Sequence, residues 1–256
     1  MSPKVDPRVA KRRQEVARAA GRRRLRVLLV ITAIVASFGA LFGLAMSPAL
    51  DVDRVEVRGA AQTSVAAILD TTGLSERGHP MLTLDRFALA HRVERLPWVK
   101  EAAVTRKWPN VVRVTVVERV AIGVIGVPGG VAIVDGEGRV LATSSTPPPN
   151  TVAITAAPDD RVPGPGQIVS PAVRGALRIL KALSRDLAAK VEGVHRVPGK
   201  PATYELGIRG GVTIRLGEAD RVADKLAAAE AVLVAQHMPG TIIDVRVPRS
   251  PAVTHT

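Results

Sequence analysis

The chain has 256 residues, 46% hydrophobic but only 2% aromatic, with no cysteine and a net charge of +13. An aliphatic core in one large or two small domains fits this length. The missing cysteine excludes disulfides, thiolate metal sites and a cysteine nucleophile. The charge is concentrated: residues 1–26 hold ten Lys/Arg against Asp6 and Glu15, +8 of the +13. The rest of the chain is therefore only mildly basic, and nucleic-acid binding by it is not implied.

Residues 1–26 read as a cytoplasmic basic tail. Asp6 is a candidate N-cap, Pro7 suits the first helical position, and Gly21 can end a short helix. The faces are Arg/Lys and Ala/Val, without an aromatic to stack on bases. The tail reads as a topology determinant that touches anionic lipid, or as a docking site for a cytoplasmic partner.

Residues 27–46, VLLVITAIVASFGALFGLAM, follow without a single charge. Twenty helical residues cover about 30 Å, the hydrocarbon thickness of a bilayer. A buried core helix of this length would keep one polar face. A cleaved signal peptide would have a shorter apolar run, and here Pro48 follows the small-x-small triplet Ala45-Met46-Ser47. The reading is an uncleaved transmembrane helix. Arg22, Arg23, Arg24 and Arg26 keep its leading end in the cytoplasm and place the remainder outside.

In residues 52–58, Val55 and Val57 alternate with Arg54, Glu56 and Arg58, which predicts a half-buried strand ended by Gly59. Thr63 or Ser64 caps a short helix that stops at Gly73. Asp85 caps a second, with Leu89, Val93 and Leu96 on one side and Pro97 at its end. Two strands follow around a turn at Trp108-Pro109-Asn110, the second alternating through Val112, Val114 and Val116. The order strand, helix, helix, strand, strand predicts a small α+β unit, with the helices on one face of a three-stranded sheet.

From Val120 the character changes. Residues 120–127 are apolar apart from Gly123 and Gly126, a linker or a continuing strand. Residues 130–141 predict a hairpin around Asp135-Gly136-Glu137-Gly138. A short strand is expected at 151–155, a helix at 171–187, strands at 191–197, 204–208 and 212–216, a helix at 219–236 and a last strand at 242–247. Residues 248–256, with Pro248 and Pro251, are expected to form a flexible tail.

Several motifs carry a resemblance. Val55-Glu-Val-Arg-Gly59, Leu96-Pro-Trp-Val99, Val104-Thr-Arg-Lys-Trp-Pro109 and Val117-Glu-Arg119 resemble the POTRA domain of the FtsQ/DivIB cell-division family. This chain has Val120-Ala121-Ile122 where the family usually has a proline. Val134-Asp-Gly-Glu-Gly138, Arg215-Leu-Gly217 before Lys225-Leu226, and Ile243-Asp-Val-Arg-Val247 resemble that family's β-domain. The resemblance implies an α+β chain: an N-terminal transmembrane helix, a POTRA (β-α-α-β-β) domain over 51–119, and a mixed β-sheet domain with covering helices over 120–247. It implies a non-enzymatic scaffold at the division septum, linking cytoplasmic division proteins to septal cell-wall synthesis. Its partners would be FtsB/DivIC-like and FtsL-like proteins, the former added as a strand onto the last strand of the β-domain. The candidate partner-binding residues are then Ile242, Ile243, Asp244, Val245, Arg246, Val247 and Arg249. Taken by itself, this stretch reads equally as a core strand or as a sheet edge with free main-chain groups.

Residue chemistry offers little else. His79, His91, His195, His237 and His255 show no metal-ligand spacing. Ser144, Ser145 and Ser170 lack a nucleophile elbow. Asp135 and Glu137 read as turn residues that accept local N–H groups, and Asp244 with Arg246 as a simple pair. Gly207, Gly210 and Gly211 lack the strand–loop–helix order of a phosphate site. No catalytic, cofactor, metal or small-molecule site is expected. Two other classes stay open: a POTRA-containing export or assembly factor, and a membrane-anchored cell-wall hydrolase.

Overall fold

The computed structural model describes residues 26–43, 47, 50–74, 78–199, 201–234 and 239–255. Helix α1 (Arg26–Gly43) is long and apolar enough to cross a membrane. The expected tail helix, the end of the expected span at 44–46, and His237 lie outside the described residues. The chain divides into two compact units. One gathers the chain up to Glu56, Gly73–Asp85 and Thr105–Arg113; the other gathers Val57–Thr72, Arg86–Val104 and Val114–Thr256.

After α1 come β1 (Arg54–Arg58), α2 (Val65–Thr72), α3 (Arg86–Val93), β2 (Val99–Lys107) and β3 (Val111–Glu118). Their strands form one sheet in the order β1-β3-β2. Local chemistry sets the boundaries. Ser64 Oγ accepts the Ala67 N–H at 3.1 Å and starts α2, and Gly73 ends it at φ +70. In β3, Val112, Val114 and Val116 are buried between more exposed neighbours, the period of a strand with one face on a core. Gly59 at φ +82 lies against the Val116 carbonyl, where any Cβ would clash.

The second sheet has nine strands in the order β12-β11-β10-β9-β8-β7-β4-β5-β6. These are β4 (Ala121–Val127), β5 (Gly130–Asp135), β6 (Val140–Ser144), β7 (Val152–Thr155), β8 (Val191–Val197), β9 (Thr203–Ile208), β10 (Val212–Gly217), β11 (Thr241–Asp244) and β12 (Ala252–His255). The β4/β7, β7/β8 and β10/β11 pairs are parallel, the others antiparallel. Helices α4 (Pro171–Ala182) and α6 (Val222–Leu233) lie against each other and against this sheet. Their inward residues, among them Ala176, Leu177, Ile179, Leu226 and Ala229, join Val194, Leu206, Ile214 and Ile243 in one core. A smaller cluster of Val124, Ile133 and Leu141 takes in Trp98.

Three expectations change. The helix expected at 171–187 breaks into α4 and α5 (Arg185–Ala188), because Leu183 is extended and Ser184 caps a new turn through the Leu187 N–H. The last strand of the expected core stops at Asp244 instead of Val247. Residues 248–256 are not simply a frayed tail: a turn closed by the Ser250 N–H on Val247 O leads into β12, antiparallel to β11. The two prolines mark this turn, and the Val253-Thr254 pair behind them suits a strand.

Candidate functional site

The C-terminal end of the large sheet holds the sequence-predicted partner residues. In β11, Thr241 and Ile243 are fully buried on the core side, and Ile242 and Asp244 are half-buried on the other. Val245 is buried too, and its N–H donates to Arg215 O at 3.0 Å, prolonging the parallel ladder. Ile243 and Val245 therefore have no side chain to offer a partner. Arg246, Val247 and Arg249 are exposed in the turn between β11 and β12.

Asp244 organises that turn. It accepts the Arg246 N–H at 3.0 Å and Arg246 Nη2 at 2.7 Å. These bonds from Arg246 hold the Asp244 carboxyl below its ordinary value against the opposing cost of burial.

The ladder of β11 is occupied on both sides. On the far side of β10 it meets β12 in the register Thr241↔His255, Ile242↔Thr254, Ile243↔Val253 and Asp244↔Ala252. Of the two readings the sequence leaves open for residues 242–247, core strand or sheet edge, β11 takes the first, because β12 is the outermost strand. β12 is a light cover. Of its four residues only Val253 is even half-buried, and Thr241 Oγ1 meets His255 Nδ1 at 3.1 Å beside the main-chain bonds.

The other candidates resolve into structure. Asp135 Oδ1 accepts the N–H groups of Glu137 and Arg139 at 2.9 and 2.8 Å, as a turn residue should. Its second oxygen takes Arg119 Nη1 at 2.7 Å. His79 contacts Gly73 O, His91 contacts Glu94 and His195 contacts Thr155 Oγ1. Among the described residues no group of three His, Asp or Glu is placed to hold a metal ion.

One charged cluster escaped the sequence reading. Arg196 on β8 is 6% exposed and pairs with Asp159 at 2.6 Å and Asp160 at 3.2 Å. Asp160 also takes the Ala157 N–H and the Ser170 hydroxyl. Side-chain bonding to Asp159 raises the Arg196 pKa further, so the guanidinium stays charged. Only the alternation of β8, which points Arg196 inward beside Val194, could have signalled it.

Comparison with known proteins decides the family. Residues 50–119 match the model of the POTRA domain, FtsQ-type, and residues 123–246 match that of cell division protein FtsQ/DivIB, C-terminal. The chain is 30% identical over 227 residues to cell division protein FtsQ of Mycobacterium tuberculosis, covering 88% of this chain and 68% of that one. It belongs to the FtsQ/DivIB family of cell-division proteins. FtsQ of Mycolicibacterium smegmatis is 31% identical over 228 residues and FtsQ of Mycobacterium leprae 30% over 219. The chain spans 64% and 60% of the length of those two relatives. Among solved structures, it is similar to the major extracytoplasmic domain of DivIB from Geobacillus stearothermophilus, with TM-score 0.35, 17% identity, and 46% of this chain and 93% of that one covered. An α+β fold with one apolar N-terminal helix, a POTRA domain and a mixed β-sheet domain is the architecture of this FtsQ/DivIB member.

Proposed function

We propose that the chain is a non-enzymatic bitopic scaffold of the bacterial divisome. In this reading α1 crosses the cell membrane with the basic tail in the cytoplasm. The segments 51–119 and 120–247 work outside as POTRA and partner-binding domains at the septum. The scaffold links cytoplasmic division proteins to cell-wall synthesis and holds FtsB/DivIC-like and FtsL-like proteins.

The observation that carries the reading is the C-terminal end of the nine-stranded sheet. β11 is set rigidly by buried Thr241 and Ile243, and only a short, exposed strand lies over it. A partner strand gains affinity from main-chain ladder bonds and selectivity from alternate side chains. Replacing β12 gives it a ladder already braced by the core. Ile242 and Asp244 face it across the strand, and Arg246, Val247 and Arg249 border it in the turn.

The test is a pull-down of the full chain from membranes of dividing cells, with partners identified by mass. The reading expects division proteins of the FtsB/DivIC and FtsL type, recovered more strongly when residues 251–256 are deleted. Recovery of export substrates instead would overturn the scaffold. Loss of partners on that deletion would make β12 itself the platform.

A further inference from the structure

Beyond the membrane span, few aromatics are exposed, and Trp108 is one of them, 56% exposed at the β2–β3 turn between exposed Lys107 and Pro109. Its place along the chain is informative. The N–H groups of Asp53 and Arg54 both reach Asn110 O, at 2.9 and 3.3 Å. The Trp108 turn therefore lies beside the start of β1. The loop around Leu82 lies there as well: Met81 N–H donates to Leu50 O at 3.1 Å and Val52 N–H to His79 O at 2.9 Å. Arg106 ties that loop to β2 by donating to Leu82 O at 3.1 Å and to Leu84 O. Leu82 itself is 46% exposed. These residues share the compact unit that contains α1.

Nine residues separate Gly43, the end of α1, from Asp53, a reach of about 32 Å at most. The Leu50 N–H donates to Ser47 O at 2.9 Å, which shortens that reach. The Trp108 turn is thus held close to the surface of whatever bilayer α1 crosses. An indole with a polar edge and an apolar body favours the headgroup level of a membrane. The Lys107 stem can lie along the same boundary with its ammonium in water.

We propose that Trp108 and Leu82 form an interfacial foot, resting in the headgroup layer of the bilayer crossed by α1. Its occupant is lipid. Arg54 is offset along the chain by Asp51 and Asp53, and in this proposal apolar burial drives the contact, with lipid charge secondary. The foot sets the height of β1 above the membrane, independently of what binds at the C-terminal strand. The proposal rests on α1 spanning the bilayer.

The experiment uses the full chain in phosphatidylcholine nanodiscs, with and without bromine on the acyl chains. The emission of wild type minus that of Trp108→Phe isolates Trp108 from Trp98. The foot predicts loss of most of this difference in brominated discs, with or without added phosphatidylglycerol. Lys107→Cys carrying an environment-sensitive dye reads the same turn with the tryptophan in place, and its emission shifts to the blue on transfer from detergent to discs. A Trp108 signal that bromine leaves unchanged, or quenching that requires phosphatidylglycerol, would overturn the proposal. Extraction of the chain from membranes by alkali would remove the spanning reading and the foot together. Retention in membranes with an unquenched Trp108 would remove the foot alone.

Discussion

Arg119 and Asp135 meet at 2.7 Å with the guanidinium 13% and the carboxylate 5% exposed. The same Arg119 Nη1 reaches Glu137 at 2.8 Å, but that side chain is 58% exposed. Arg119 also donates from Nε to Val99 O at 3.1 Å and from its backbone to Trp98 O at 2.8 Å. It thus ties the β2–β3 strands to the β5–β6 turn. Removing one partner of a buried pair leaves the other charge uncompensated, so Asp135→Ala should cost about 3 kcal/mol. Glu137→Ala, at an exposed site, should cost less than about 1 kcal/mol. Urea denaturation of the two variants checks the contrast.

The notch at Gly175 in α4 is filled by Tyr204. A Cβ at Gly175 would stand 2.0 Å from the Tyr204 hydroxyl oxygen, which donates to Ala172 O at 2.6 Å. On helix propensity alone Gly175→Ala should gain about 1 kcal/mol. The clash reverses the sign, and the variant should be less stable than wild type. Tyr204→Phe should lose about 1 kcal/mol with the hydrogen bond. In thermal denaturation, Gly175→Ala combined with Tyr204→Leu should be less damaging than the two single effects added.

Glu118 accepts the N–H groups of Gln62 and Thr63 at 2.9 and 2.7 Å, just before α2. Burial pushes its carboxyl up, but these donors outweigh burial and the net shift is down. A depressed carboxyl contributes stability above its unfolded value, about 4.3, and loses it as pH falls through the lower folded value. Glu118→Gln should therefore be less stable than wild type at neutral pH, by about 1 kcal/mol. The gap should narrow in denaturation curves taken below about pH 4.

The strand order of the POTRA segment was legible because its signals are local. Valine alternation marks β3, Ser64 and Gly73 bracket α2, and Pro97 closes the turn after α3. The family, too, was legible from short motifs in order. What the sequence hid depends on partners far along the chain. Nothing near Asp135 announces Arg119, and nothing near Arg196 announces Asp159 and Asp160. The choice between core strand and edge for residues 242–247 stayed open for the same reason. Pro248 and Pro251 suggest an end of structure, whereas a turn after Val247 lets four residues return along β11. Ile243 and Val245, proposed as partner contacts, are core residues, fully buried.

In the proposed scaffold a division partner takes the edge of β11 in place of β12. The chain has no cysteine, so Ile242→Cys with Thr254→Cys, which face each other across the β11–β12 ladder, would give a single lock. Binding of the FtsB/DivIC-type partner to the full chain in membranes should be lost when this disulfide is closed and restored when it is reduced. Equal binding with the lock closed would rule out exchange of β12 for a partner strand.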